Sequence, residues 1–187
     1  MARKAKVICL IGTNGTGKST LAVQLMERQK RGLMILPTFD DWAMKFDESK
    51  CATKFDFAFV GIRHHIAEGK SEELFDSIYR NFRDGVLVCD DPVVYINKNL
   101  DDHPIKNILA RRRQIKCDVV FVAHSFFRIP PIFFEYITDY VIYNTTNATK
   151  RKNELGQHYE AIERIINNVS KKAKKDPHYC ESYQTGL

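Results

Sequence analysis

Short apolar runs alternate with longer amphipathic stretches along the chain, and this alternation indicates the fold class. The apolar runs have the length and composition of buried parallel strands, which we expect at residues 7–11, 33–36, 86–89, 119–122 and 140–143. Helical spacing of apolar residues fills most of the intervals, at residues 21–31, 61–83, 103–116 and 154–175, with a break expected near residues 69–71. The pattern predicts an α/β fold with a mostly parallel sheet of about five or more strands and helices on both faces.

The length and composition fit a single globular domain. The chain has 187 residues, of which 44% are hydrophobic, and no apolar run approaches the roughly 18 residues of a membrane-spanning helix. Neither a repeat nor a linker marks a second domain, so we expect one domain over residues 1–187 with a basic helical segment at about 150–187. The five cysteines form no C-x-x-C pair, and the N-terminus lacks a cleavage site, so we expect a cytoplasmic protein.

The net charge of +6 is unevenly distributed. Residues 1–32 carry a net +6 and residues 150–187 a net +3, which leaves the middle of the chain at −3. Basic ends around a mildly acidic centre suit a polyanionic partner such as nucleic acid. A solubilising surface would give the same pattern, and the same two interpretations apply to the lysine-rich run at residues 171–175.

The first apolar run leads directly into a pattern typical of a phosphate-binding loop: Gly12-Thr13-Asn14-Gly15-Thr16-Gly17-Lys18-Ser19. It matches G-x-x-x-x-G-K-[ST] between a predicted strand and a predicted helix, which is the context that the motif requires. Glycines lack a Cβ, so the backbone N–H groups can turn inward around phosphate oxygens. Lys18 would reach the β- and γ-phosphates, Ser19 would bind Mg²⁺, and Thr20 would contact the α-phosphate. The loop therefore predicts a site for ATP and Mg²⁺.

A second part of the nucleotide site is predicted where another apolar run ends in two acids. Four apolar residues precede Asp90 and Asp91, which is the pattern of a Walker B strand. We assign Asp90 to the Mg²⁺ shell and Asp91 to polarising the attacking water. Asp40 and Asp41, which follow the second apolar run, are alternative candidates for the water.

Polar and basic residues around the fourth apolar run complete the candidate set. His124 follows that run and could sense the γ-phosphate, with Ser125 as the alternative. The helix before it carries three consecutive arginines, and one of them could reach a neighbouring subunit's γ-phosphate as an arginine finger, with Arg128 as a further candidate: Arg111, Arg112 and Arg113. Three adjacent arginines spread around a helix, so they cannot all serve one contact.

The order of these motifs resembles the HerA/FtsK superfamily of P-loop ATPases. It is most similar to the genome-packaging ATPases of membrane-containing icosahedral viruses and to the filamentous-phage assembly ATPases. The resemblance covers about residues 6–145 and depends on the P-loop, the two acids, the arginine helix leading into residues 118–125, and the Thr-Asp-hydrophobic strand at residues 138–143. His124 stands where these families usually carry Gln, and Asp91 where many carry Glu.

The resemblance implies a P-loop NTPase that forms a ring, usually hexameric, and hydrolyses ATP to move double-stranded DNA. An adjacent subunit would supply the arginine finger. If the protein is viral, the implied locations are the host cytoplasm or the virion, and the implied partners include capsid or membrane-vertex proteins. A small-molecule kinase and a nucleotide-dependent, non-catalytic assembly module remain as alternative functions, because a P-loop near the N-terminus fits both.

Overall fold

The computed structural model describes residues 4–39, 45–48, 59–67, 71–96, 103–145 and 149–186. The strands in these residues are β1 (Val7–Ile11), β2 (Arg31–Leu36), β3 (Asp47–Glu48), β4 (Gly61–Ile66), β5 (Gly85–Asp90), β6 (Cys117–Ala123), β7 (Asp139–Ile142) and β8 (Glu181–Gln184). The α-helices are α1 (Lys18–Glu27), α2 (Glu72–Asn81), α3 (Pro104–Arg111), α4 (Lys152–Leu155) and α5 (Tyr159–Lys172).

The strands form one sheet in the order β3-β4-β2-β5-β6-β1-β7-β8. Every pairing is parallel except that of β7 with β8, which is antiparallel. The predicted mostly parallel α/β sheet is therefore confirmed. Because β1, β5, β6 and β7 all run in the same direction, their carboxyl ends meet at one edge of the sheet, which is called the carboxyl edge below.

The sheet is covered by helices on both faces, as the alternation of runs predicted. On one face, β1, β2, β5 and β6 pack against α1, whose buried residues include Ala22 and Met26. On the other face, the alternate residues of these strands pack against α2, α3 and α5. Each strand of this central group is buried on both sides, which explains why it reads as a continuous apolar run. No helix in the described part of the chain is both long and apolar enough to cross a bilayer.

The predicted helix over residues 61–83 is wrong in its first part. Residues Gly61–Ile66 form β4, which pairs in parallel with β2, and the helix begins only at Glu72. Gly61 has φ +92°, a conformation that interrupts helical geometry and suits glycine. Pairing with a distant strand, which local periodicity does not report, determines the structure here.

The end of the chain also differs from the continuous basic helix that was predicted for residues 154–175. A short helix, α4, and a turn precede α5, which ends at Lys172. Residues 173–186 then turn back along the sheet and add β8 to the edge strand β7. We call residues 173–186 the C-terminal strap. Helix α5 is amphipathic and buries Ile162, Ile166 and Val169, spaced as one helical face.

The Thr-Asp pair at the start of β7 has a structural role. The Thr138 hydroxyl accepts a hydrogen bond from the Val7 N–H at 3.0 Å and lies 2.6 Å from Asp139 Oδ2. Asp139 in turn forms an ion pair with Lys6 at 2.8 Å. These contacts join the starts of β1 and β7 at the edge opposite the P-loop, so this part of the family-like pattern fixes the register of the strands.

Candidate functional site

A cleft of about 480 Å³ opens at the carboxyl edge of the sheet, above β1 and β6. The P-loop and the start of α1 supply most of its wall, and the ends of β5 and β6 and one residue of the C-terminal strap supply the rest. The residues that line it are Asn14, Gly15, Thr16, Gly17, Lys18, Ser19, Thr20, Asp90, Val122, His124 and His178. The structure therefore brings the predicted phosphate loop, the first Walker B acid and the predicted sensor into one cavity.

The loop has the backbone that the glycine pattern predicted. Gly15 and Gly17 have φ +75° and +98°, values that L-residues with side chains rarely adopt. Gly12 is required by space, since a Cβ there would lie 2.6 Å from Tyr143 Cβ. The loop is anchored where it begins, because the Thr13 N–H donates to the Asn144 carbonyl oxygen at 2.8 Å. The result is a fixed, curled backbone at the start of α1.

The start of α1 is suited to bind an anion. Its N-cap residue, Gly17, has no side chain to cap the helix, and the first turn carries no acidic residue. The first backbone N–H groups of such a helix therefore lack a partner within the helix, and the helix dipole favours negative charge at this position. Ser19 and Thr20 place their side chains on the wall of the same cleft.

Lys18 is folded onto its own loop. Its Nζ donates a hydrogen bond to the Thr13 carbonyl oxygen at 2.7 Å, and the residue is only 5% exposed. Burial lowers the pKa of Lys18, and the nearby carboxylates of Asp90 and Asp91 act in the opposite direction. A buried ammonium group with so few partners favours a strong anion as a replacement ligand.

The two acids at the end of β5 have different surroundings, and Asp91 is not among the residues that line the cleft. Asp90 ends the strand and lines the cleft. Asp91 leaves the strand with φ +41°, and its N–H donates to the Val122 carbonyl oxygen at 2.9 Å. A non-glycine residue in the left-handed region is strained, although Asp tolerates it better than most residues. The turn directs Asp91 away from the β5 ladder toward the neighbouring segment after β6.

Arg128 is the partner of Asp91. Its Nη1 donates a hydrogen bond to Asp91 Oδ2, and the two side chains are 45% and 13% exposed. The other carboxylate oxygen, Oδ1, is buried and has no hydrogen-bond partner in the described structure. Arg128, considered above as a possible trans finger, thus contacts the acid of its own subunit. Asp40 and Asp41, the alternatives to Asp91, lie outside the described residues.

His124 lies between the P-loop strand and the Walker B strand, because β6 is between β1 and β5 in the sheet. Burial lowers its pKa, the positive charges of Lys18 and Arg128 lower it further, and Asp91 opposes them. The imidazole is therefore neutral near pH 7 and can both donate and accept a hydrogen bond. Ser125, the alternative sensor, is not among the residues that line the cleft.

The three consecutive arginines are far from the cleft of their own subunit. They end α3 and precede β6, so they lie at the opposite edge, about 20 Å away along a seven-residue strand. Arg112 is buried and donates to the Leu109 carbonyl oxygen at 2.8 Å, which is a structural contact. Arg111 and Arg113 are exposed, and Arg111 lies over the Tyr79 ring at 5.9 Å. Any catalytic role for these two requires a second subunit.

His178 is a cleft residue that the sequence analysis missed. It belongs to the C-terminal strap, and its Nδ1 would lie 3.5 Å from a Cβ built on Gly17. No motif surrounds it in the sequence. The contact depends on the pairing of β8 with β7. This pairing could not be predicted from the sequence, because the β8 segment is short and polar.

The cleft offers a suitable set of ligands for Mg²⁺. The Ser19 hydroxyl and the Asp90 carboxylate are hard oxygen donors on its wall, and Mg²⁺ in phosphate sites is typically held by one or two such groups together with water and phosphate oxygens. These residues fit the predicted assignment of Ser19 and Asp90 to the metal.

Comparison with solved structures identifies known proteins that have a similar fold. No protein-family model matches the chain, and no curated protein matches it by sequence. The genome packaging NTPase B204 from Sulfolobus turreted icosahedral virus 2 superimposes on it in several complexes. With the sulfate complex the TM-score is 0.71 at 13% identity, covering 98% of this chain and 93% of B204. With the AMPPCP complex the TM-score is 0.67 at 14% identity, covering 96% of this chain and 92% of B204. With the ATP-gammaS complex the TM-score is 0.65 at 14% identity, covering 97% of this chain and 98% of B204.

The chain has the fold of a P-loop NTPase. The resemblance to viral packaging ATPases that the motifs indicated is thus confirmed at the level of the fold. The alignment also extends past residue 145, where the motif resemblance ended, over nearly all of both chains. The nucleotide complexes of B204 agree with an NTP site in this fold.

Proposed function

We propose that the protein is an ATP hydrolase that couples turnover to the movement of double-stranded DNA, as a subunit of a viral genome-packaging motor. One observation carries the proposal: the P-loop, Asp90 and His124 line a single cleft in a chain with the fold of a genome packaging NTPase. Each of the three supplies a different part of phosphoanhydride hydrolysis.

The P-loop binds the phosphates. The curled backbone and the open start of α1 present N–H groups to phosphate oxygens, and Lys18 exchanges the Thr13 carbonyl oxygen for the β- and γ-phosphates. Because the ammonium group is already buried, phosphate binding adds little to its desolvation free energy. Ser19 and Asp90 would hold Mg²⁺, which would neutralise phosphate charge when bound.

Asp91 acts on the attacking water, and His124 senses the γ-phosphate. Among the described residues Asp91 Oδ1 is a buried acceptor with no hydrogen-bond partner, so a water molecule that reaches it would gain a hydrogen bond that these residues do not supply. Arg128 holds the other oxygen and fixes the direction of the carboxylate. His124, neutral near pH 7, contacts the γ-phosphate and so makes the site sensitive to whether ATP or ADP is bound.

A ring assembly completes the site. Arg111 and Arg113 are exposed at the edge of the sheet opposite the cleft, and in a ring such an edge can face the cleft of the next subunit. An arginine supplied in this way neutralises charge that develops on the γ-phosphoryl group, an effect of about 10³ to 10⁵ in rate. We propose a homo-oligomer, as a hexameric ring, with the finger provided by Arg111 or Arg113.

Duplex DNA contacts lysines in the last turn of α5 and just after the helix. Lys171, Lys174 and Lys175 are exposed. Lys172 differs, because its Nζ is held by the Tyr179 hydroxyl at 2.6 Å and by Glu181 at 3.3 Å. The three exposed lysines neutralise DNA phosphates, whereas Lys172 fastens the C-terminal strap to the helix.

Phosphate release from Mg-ATP tests the enzymatic part of the proposal. Lys18→Ala is expected to lower the rate at least about 100-fold, because it removes a positive charge that acts on the transferred phosphoryl group. Lys30→Ala is the matched control, since Lys30 is an exposed lysine just after the same helix, and it should keep the wild-type rate.

Three results would contradict this assignment. Normal turnover in Lys18→Ala would exclude the P-loop as the site of hydrolysis. Phosphate transfer to added nucleosides or nucleotides, in place of release to water, would identify a small-molecule kinase. Tight ATP binding without turnover would identify a non-catalytic module.

A further inference from the structure

The C-terminal strap crosses the sheet edge at the mouth of the nucleotide cleft. Helix α5 arrives at the carboxyl edge, and β8 leaves it in the opposite direction, with Glu181 paired to Ile142 at the end of β7. The turn between them therefore lies on the side of the P-loop. His178 belongs to this turn and lines the cleft together with residues of the loop.

Several contacts hold the turn in place. The Lys172 Nζ donates to the Tyr179 hydroxyl, and the Tyr179 hydroxyl donates to Glu181 at 2.8 Å, which closes the turn across its base. Burial raises the pKa of Tyr143, and the neighbouring Cys180 side chain of the strap raises it further. Tyr143 also packs below the loop, where its Cβ excludes any side chain at Gly12. The strap and the P-loop are thus fixed to the same tyrosine.

His178 itself is positioned by its backbone. Its N–H donates to Asp176 Oδ1 at 3.0 Å, and the Tyr179 N–H donates to the Asp176 carbonyl oxygen at 3.0 Å. The ring reaches the loop at Gly17, where Nδ1 lies 3.5 Å from the position of a built Cβ. No hydrogen bond to the ring is present among the contacts of the described residues, and His178 is exposed to the cleft.

The order of the strands orients a nucleotide in the cleft. Asp90 and His124 follow β5 and β6, on one side of β1, whereas His178 is held above β7 and β8, on the other side. A triphosphate with its γ-phosphate between Lys18 and the acids therefore directs its α-phosphate and nucleoside toward His178. The described residues that line the cleft include two aromatic rings, His124 and His178. His124 lies at the γ-phosphate end, so His178 is the ring at the nucleoside end.

We propose that His178 binds the nucleoside part of ATP by stacking its ring on the base. This inference depends on the proposed use of the P-loop as a nucleotide site and adds the residue that recognises the nucleoside. The strap then positions His178, so this C-terminal segment affects how tightly the protein binds a nucleotide. Stacking of a base on an aromatic side chain is sequence-tolerant, so the contact sets the affinity for nucleotides more than the choice among bases.

Binding measurements with two probes test the contact. Calorimetric titration with β,γ-methylene ATP should show about tenfold weaker binding to His178→Ala than to wild type. Titration with inorganic tripolyphosphate, which has no nucleoside, should give the same affinity for both proteins. His178→Phe should keep wild-type affinity for the ATP analogue, because it retains a flat ring. Ser182→Ala, an exposed position on β8, is the control within the strap.

The outcomes separate this inference from the proposed ATPase. Equal analogue binding by His178→Ala and wild type would overturn it, as would an equal loss of tripolyphosphate binding, which would mean that the strap only supports the loop. Retained binding in His178→Gln with loss in His178→Phe would overturn stacking. Lys18→Ala should weaken the binding of both the ATP analogue and tripolyphosphate. Because these titrations need no hydrolysis, a failure of the ATPase proposal would appear only in phosphate release.

Discussion

Arg128 and Asp91 form an ion pair inside one subunit. The pair holds one carboxylate oxygen of Asp91, while the other oxygen is buried and has no hydrogen-bond partner among the described residues. The two residues come from segments that follow neighbouring strands, β5 and β6. Arg128 therefore acts as a positioning residue for the carboxylate of its own subunit. An arginine finger supplied in trans would instead contact the γ-phosphate of a neighbouring subunit.

Substitution of Arg128 tests this role. Arg128→Ala should lower kcat about 10- to 100-fold with little change in KM, because Asp91 loses its fixed direction. The fold should survive, since a partly exposed ion pair contributes at most about 1 kcal/mol. Steady-state kinetics measure the change, and Arg80→Ala, an exposed arginine paired with Asp76 along α2, is the control.

Mixing experiments distinguish a contact within the subunit from one between subunits. Arg128→Ala should gain no activity when it is mixed with Asp91→Asn, because each site lacks a member of the same pair. Restored activity in that mixture would mean that Arg128 serves the neighbouring subunit and would refute its assignment to Asp91.

The exposed arginines of the α3 end should behave differently. Either Arg111→Ala or Arg113→Ala is expected to lower ATPase activity at least about 10³-fold and to regain part of it when mixed with Asp90→Asn, whose subunits carry an intact finger beside an inactive site. Arg112→Ala should instead lower the melting temperature, because it removes a buried side chain that bonds to Leu109. Absence of rescue for both exposed arginines would argue against a trans finger from this helix.

His103 makes the stability of the fold dependent on pH. Its Nδ1 accepts a hydrogen bond from the Ile105 N–H at the start of α3, and its Nε2 lies 3.2 Å from the buried Ser71 hydroxyl. Burial lowers the pKa of His103, although Glu72 opposes the shift. The unfolded chain therefore binds this proton more readily, and the free energy of unfolding should fall as the pH drops below about 6.5.

A conservative variant isolates this effect. His103→Asn keeps a residue that caps helices well and removes the titrating ring, so it should lose less stability than wild type between pH 7.5 and pH 5.5. Urea denaturation at the two pH values measures the difference. An equal loss in both proteins would mean that other groups cause the acid sensitivity.

The parts of the molecule that were predictable from sequence are those set by local chemistry. The P-loop could be identified because its glycines, its lysine and its hydroxyl residue are contiguous and lie between a strand and a helix. The central strands could be identified because burial on both faces makes each one an apolar run. Asp90 and His124 could be proposed because each follows an apolar run that the pattern predicts as a strand.

The rest depends on contacts between distant segments. Strand β4 carries Arg63 and two histidines, so its hydrophobicity is low, and only its pairing with β2 makes it a strand. His178 reaches the cleft because β8 pairs with β7, and nothing near it in the sequence indicates a nucleotide site. Arg128 is four residues after His124, a spacing that fits a contact within the subunit or between subunits equally well, so only the structure could identify Asp91 as its partner.

The effect of duplex DNA on ATP turnover tests the central claim most directly. Phosphate release should rise several-fold when linear duplex DNA is added, and the stimulation should fall steeply with salt, by a slope of about −0.9 in log–log form per phosphate contacted. Replacing Lys171, Lys174 and Lys175 together by Gln should weaken both the stimulation and its salt dependence, whereas Lys30→Gln should leave them unchanged. If wild-type protein hydrolyses ATP at the same rate with and without duplex DNA over a range of salt concentrations, the proposed DNA-translocating motor is wrong.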